Sequence, residues 1–152
     1  MNNKIIPCSD GNVHKAVYEL FDSINSLDNP KILILGSGKG AFEQILLDNG
    51  YNNILSVDID PNQFELDPQY IIKKDLNLNF SDLGKFDYVF AIEIIEHLEN
   101  MFHFIRNCSM LLYPESYLII TTPNVHRRSL RLKYFLDGKF GFFRKKDLEG
   151  SG

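Results

Sequence analysis

Cysteine is scarce. The chain carries only Cys8 and Cys108, too few for a disulfide framework. Two reduced thiols in a cytosolic protein is a simpler reading than a single bridge. Long apolar runs are also missing. The longest span only a few residues, against the roughly 20 that a membrane helix needs. Met1 to Asp10 lacks the apolar core of a secretory leader, so a cytoplasmic location is the expectation. Nor is there an excess of positive charge. Sixteen Lys and Arg stand against 20 Asp and Glu, a net charge of −4. That excludes a chain that is basic overall, the usual footprint of a nucleic-acid binder, though not a local basic patch. What remains is ordinary: 152 residues, 44% hydrophobic and 24% charged, enough for one globular domain.

The charge is unevenly placed. Met1 to Val125 holds eight basic and seventeen acidic residues, whereas His126 to Lys146 holds eight basic residues and one acid, Asp137. Such a run is either a solvated helix face or a surface that meets an acidic substrate.

Hydrophobic spacing predicts alternating helices and strands. Val13, Ala16, Val17, Leu20, Phe21, Ile24 and Leu27 recur at helical steps, with Ser9 and Asp10 as candidate caps and Pro30 beyond the end. Lys31 to Leu35 is a continuous apolar run, as expected of a strand buried on both faces. A glycine-rich turn leads to a helix from about Ala41 to Asp48, with Gly50 as C-terminal cap. Asn53 to Val57 reads as a second strand and Asp60-Pro61 as a helix start. Tyr70 to Ile72, Phe86 to Ile92 and Ser116 to Thr122 are further strands. Ile94 to Leu112 carries a helical stripe that Pro114 breaks, and a last helix is expected from about Val125 to Leu136. This alternation implies an α/β, Rossmann-like, doubly wound and mostly parallel sheet of about five strands, order 3-2-1-4-5, with flanking helices.

Gly36-Ser37-Gly38-Lys39-Gly40 lies where the first strand meets its helix. Glycine there permits a left-handed turn and lets a ligand approach bare backbone, beside the unpaired N–H groups of a helix start. Asp58 ends the second strand 22 residues after Gly36, the spacing at which a carboxylate accepts ribose hydroxyls. The dinucleotide fingerprint G-x-G-x-x-G is not matched in full. Here the spacing is G-x-G-x-G, followed by Ala41, which disfavours a nicotinamide cofactor.

With these motifs in order, the chain resembles class I S-adenosylmethionine-dependent methyltransferases over nearly its whole length. KILILGSGKG is similar to their first motif, LSVDID to the acidic second-strand motif, KKDLNL to the adenine segment, and FDYVFAIEIIEHLEN and SYLIITTPN to the fourth and fifth strands. The resemblance implies that Gly36, Ser37, Gly38 and Gly40 border the methionine part of S-adenosylmethionine. Asp58 would hold the ribose and Ile59 would pack on the adenine. Asp75 would bind the adenine amino group with Leu76 alongside, and Ile92 and Glu93 would close the site near the sulfonium. It also implies a seven-stranded sheet. The chain ends shortly after the helix that follows strand five, so residues 1–152 are expected to form a single methyltransferase-like domain that is incomplete at its C-terminus.

After the fourth strand the sequence reads Glu93-Ile94-Ile95-Glu96-His97. On a helix, positions i, i+3 and i+4 share a face. Three readings stay open. Glu93, Glu96 and His97 could bind Mg²⁺ or Mn²⁺. His97, with Glu93 beside it, could act as a general base. Or the acids could simply stabilise a helix N-terminus. Small-RNA 3′-terminal ribose methyltransferases, which the segment resembles, use such residues as metal ligands, and His126 could complete a set here. Ubiquinone-pathway O-methyltransferases resemble the same stretch. His14 and His103 read as ordinary surface or packing residues. The expected activity is O-methylation of a hydroxyl-bearing or acidic small molecule, a sugar or a lipid-linked metabolite. RNA-end methylation and a non-catalytic binding module are the rivals.

Overall fold

The computed structural model describes residues 5–7 and 11–123. Apart from Pro123, these belong to one unit, Met1–Thr122. Eight elements follow in order: α1 (Gly11–Ile24), β1 (Ile32–Leu35), α2 (Ala41–Asp48), β2 (Ile54–Asp58), β3 (Ile71–Lys73), β4 (Phe86–Ile92), α3 (Met101–Met110) and β5 (Leu112–Thr121). The strands form one parallel sheet, order β3-β2-β1-β4-β5. This is the expected strand order.

Why β1 sits at the centre is plain from its composition. Ile32, Leu33, Ile34 and Leu35 are all buried, because alternate side chains reach opposite faces and both faces are covered. On one face Ile32 and Ile34 join Val17 and Phe21 of α1 and Phe42 and Leu46 of α2. On the other, Leu33 and Leu35 join Phe80, Phe104 and Cys108. Phe21 meets Tyr51, Tyr88 and Phe90 edge-on, with ring centroids 4.8–5.6 Å apart, the geometry that aromatic quadrupoles favour.

Some elements differ from expectation. In α1 the buried stripe runs through His14, Val17 and Phe21, while Ala16 and Leu20 are exposed, as is Leu27, which lies beyond the end of the helix. The predicted helix at Asp60-Pro61 is a single 3₁₀ turn, Pro61–Gln63, capped by the Asp60 side chain. The connection from β2 to β3 holds only twelve residues, and a second 3₁₀ turn, Pro68–Tyr70, occupies its end. The helix predicted over Ile94 to Leu112 is divided. A 3₁₀ turn at Ile95–His97 is followed by extended Leu98, and α3 begins afresh where the Asn100 side chain accepts from the His103 N–H at 2.9 Å. Pro114 does not end that helix, which stops at Met110. Pro114 and Glu115 instead lie in β5 where its register against β4 jumps, with Glu115 at φ 68°. A proline at an irregular stretch of strand removes no ladder bond. Cys8, His126, the basic run and the predicted last helix lie outside the described residues.

Candidate functional site

The order of the sheet reverses between β1 and β4, and ligands of such sheets bind at the carboxyl ends of the strands beside that reversal. The predicted cofactor residues meet at this edge. Gly36 leaves β1 at φ 77°. A Cβ there would stand 2.7 Å from Ile94 Cγ1, so only glycine fits. The Gly36 and Ser37 N–H groups donate to the Val57 carbonyl at 2.8 and 3.2 Å, which ties the turn to β2. Ser37 Oγ is buried with no hydrogen-bond partner among the described residues. A buried hydroxyl in that state is costly unless a ligand or water meets it. At Gly40, φ 89°, a Cβ would lie 2.7 Å from the Phe64 ring. The segment after β2 folds over the turn here, joined by the Lys39–Glu65 ion pair at 2.7 Å and by the Glu65 N–H to the Lys39 carbonyl at 3.0 Å.

Asp58 is buried at the end of β2 and is held from several sides. Its Oδ2 accepts from the Gly38 N–H at 2.8 Å, and its Oδ1 accepts from the Asp60 N–H at 2.9 Å and from Gln63 Nε2 at 3.2 Å. A carboxylate offers about four lone-pair positions. The backbone bonds fix its direction, and the exposed Gln63 amide is the partner that a hydroxyl can replace.

Beside Asp58 opens a recess of about 140 Å³, lined by Gly36, Ile59, Asp75, Leu76, Asn77 and Leu98 among others. Whole small-molecule sites hold roughly 300–1,000 Å³, so this is a subsite of ring size. Its walls combine apolar Leu76, Leu98 and Ile94 with an exposed Ile59. Asp75 and Asn77 supply the polar edge. Asp75 Oδ1 accepts from the Asn77 N–H at 2.9 Å, an Asx turn that also orients its carboxylate. A flat aromatic ring with an amino edge fits these walls. The glycine cradle, the orphaned Ser37 hydroxyl and the fixed Asp58 carboxylate fit the rest of a nucleoside ligand.

The residues after β4 are placed differently from expectation. Ile92 is buried at the strand end. Glu93 is left-handed at φ 51°, its N–H bonded to the Thr121 carbonyl and hydroxyl at 3.2 and 3.1 Å. Non-glycine residues in that region carry strain and cluster at functional sites. Since Glu93 is outside any helix and Glu96 and His97 share only a 3₁₀ turn, the three do not form one helical face. Among the described residues no group of three His, Cys, Asp or Glu side chains is arranged to hold a metal ion. The metal reading of Glu93, Glu96 and His97 is corrected accordingly. His97 itself lines the recess with Asp75 and Gly36. Cys108 is buried, and burial pushes its thiol up to about 12, which leaves it inert.

Lys74, Asn77 and Leu98 line the recess without having been singled out in the sequence. Glu43 was missed for a clearer reason. An acid in the first turn of a helix looks like a solvated dipole partner. Glu43 instead points inward and is fully buried, its Oε1 accepting from Ser56 Oγ at 2.7 Å. Burial raises its carboxyl to about 7, with Ser56 opposing the shift and negative Asp58 adding to it.

The family model described as a methyltransferase domain matches residues 12–150. A ubiquinone biosynthesis O-methyltransferase of Rickettsia typhi is 31% identical over 108 residues, covering 66% of this chain and 44% of that protein. The chain spans about half the length of the curated relatives it matches. Among solved structures, a SAM-dependent methyltransferase from Archaeoglobus fulgidus superposes with a TM-score of 0.66 at 20% identity, over 86% of this chain and 60% of that one. The N-methyltransferase NodS from Bradyrhizobium japonicum, in complex with S-adenosylhomocysteine, gives 0.58 at 23% identity, over 72% and 59%. Those two likenesses are of fold. The match along residues 12–150 shows that the chain belongs to the methyltransferase domain family.

Proposed function

We propose that the chain transfers a methyl group from S-adenosylmethionine to a hydroxyl oxygen of a small molecule. The observation that carries the reading is the convergence of the Gly36–Gly40 turn, the fixed Asp58 carboxylate and the ring-sized recess at one strand edge. When bound, S-adenosylmethionine supplies an electrophilic methyl on a sulfonium, with a neutral thioether as leaving group. The chain's own task is then to hold and orient. Asp58 accepts the ribose hydroxyls. Ile59 and Leu76 sandwich the adenine while Asp75 accepts from its amino group. The bare backbone of Gly36 to Gly38 lets the methionine end lie close, where Ser37 Oγ donates or accepts a hydrogen bond. Ile92 and Glu93 close the β4 side. His97, which lines the recess, is the group assigned to take the acceptor proton.

The oxygen acceptor is supported by the 31% identical relative, whose name specifies O-methylation. A panel of phenols, alcohols and amines incubated with methyl-labelled cofactor tests it. Label is expected on the phenols or alcohols, and His97→Ala should lower that transfer about 100-fold. Labelled amines with unlabelled hydroxyl compounds would contradict the assignment.

A further inference from the structure

Along β2, Ile54, Ser56 and Asp58 point to the same face of the sheet, because side chains alternate. Helix α2 covers that face. From it Glu43 reaches the strand and accepts from Ser56 Oγ at 2.7 Å. The next side chain along this row is Asp58, whose Oδ2 fixes the Gly38 N–H. Glu43, Ser56 and Asp58 thus form one buried polar row beneath the glycine turn, in a core otherwise built from Phe42, Leu46, Ile34 and Ile54. Glu43 Oε2 is buried and has no hydrogen-bond partner among the described residues. A carboxyl held in apolar surroundings with one unsatisfied oxygen is an expensive way to dock a helix. An apolar residue of similar size would pack there at less cost.

We propose that Glu43, acting through Ser56 and Asp58, is a positioning residue of the cofactor site, and that its carboxyl makes this site favour a positively charged sulfonium over the uncharged thioether left after transfer. The inference rests on the methyltransferase reading above. S-adenosylmethionine and S-adenosylhomocysteine differ by one methyl group and one positive charge. They make the same contacts with the ribose and adenine walls, so those contacts do not separate them. A negative charge in a poorly screened position does. Glu43 bears that charge once ionised. The strain of placing it beside Asp58 is then relieved by a cationic ligand and not by a neutral one. The preference is a device for releasing product.

The sign follows from the carboxyl being held up near 7 by burial and by Asp58. Below that pH Glu43 is neutral and its contribution to the preference is absent. Above it Glu43 is ionised and the charged ligand gains. The other titratable groups around this row are Asp58 on β2, His14 on α1, whose ring meets Phe42 edge-on at 5.9 Å, and Lys39 of the turn, paired outward with Glu65. Burial lowers the His14 imidazole from its ordinary value.

The test is calorimetric titration of the full 152-residue chain with each ligand separately, without acceptor, between pH 6 and 8, together with proton release measured in buffers of different ionisation enthalpy. In the wild type, the affinity for S-adenosylmethionine relative to S-adenosylhomocysteine is expected to rise roughly three- to tenfold with pH, the size of a one-charge interaction in a partly screened interior. Only the charged ligand should release protons. Glu43→Gln keeps the shape and should flatten both. Ser56→Ala keeps the carboxyl but removes the hydrogen bond that favours its ionised form, and should move the rise to higher pH. A flat ratio in the wild type would overturn the proposal whether or not the variants fold, as would an unchanged slope in Glu43→Gln. Wild-type chain that binds neither ligand would overturn the methyltransferase reading, and this inference with it.

Discussion

Gly36 and Gly50 share a left-handed backbone, at φ 77° and 92°, yet they serve different ends. Gly50 closes α2 with nothing within 4 Å of its missing Cβ, whereas Gly36 has Ile94 at 2.7 Å. Gly50→Ala should therefore cost only the left-handed penalty, about 1 kcal/mol, and leave ligand binding intact. Gly36→Ala carries the same penalty plus a side chain driven into Ile94. It should weaken S-adenosylhomocysteine binding about tenfold or more. Thermal melts and calorimetry on both variants check this; equal binding by the two would refute the assigned role of Gly36. Both glycines were legible from sequence, since their places after a strand and after a helix demand that backbone. Asp58 was legible too, because strand end and spacing fix it. Glu43 was not. Its direction depends on how α2 is rolled against β2, and a first-turn acid gives no sign of that roll.

At the scale of elements, short connections were harder to read than long runs. β4 and α2 lie where their composition places them, Phe86–Ile92 and Ala41–Asp48. The stripe from Ile94 to Leu112 suggests one helix because its apolar spacing persists. The backbone nonetheless breaks at Leu98, where a local polar group wins: the Asn100 side chain caps the His103 N–H and starts a new helix. Before that break, Glu93 is left-handed at the end of β4 and only Glu96 and His97 share the 3₁₀ turn, so Glu93 and Glu96 have no common helical face; His97 lines the recess with Asp75. Asn100→Ala removes the cap and should lower stability by about 1 kcal/mol, read as a drop of a few degrees in melting temperature. An unchanged melt would mean that α3 does not depend on this cap. The link from β2 to β3 is likewise compressed to two 3₁₀ turns, and this brings Gln63 to Asp58 and Phe64 to Gly40.

Over the described molecule, the parallel order β3-β2-β1-β4-β5 gathers residues distant in sequence at one edge. Gly36, Asp58, Asp75 and Ile92 each follow or end a different strand, so each strand from β1 to β4 brings one of the proposed cofactor residues to this edge. Gly36 and Asp58 were readable from an apolar strand and the spacing after it, Asp75 and Ile92 from the family resemblance of their segments. No helix among the described residues is long and apolar enough to cross a membrane. The role proposed for this edge is a preformed nucleoside site for a sulfonium cofactor. Calorimetric titration of the chain with S-adenosylhomocysteine, with NADH as the control, tests it most directly. Saturable one-to-one binding of the first and none of the second is expected, with binding lost in Asp58→Ala. Binding of NADH in preference, or equal binding of S-adenosylhomocysteine by Asp58→Ala, would contradict it.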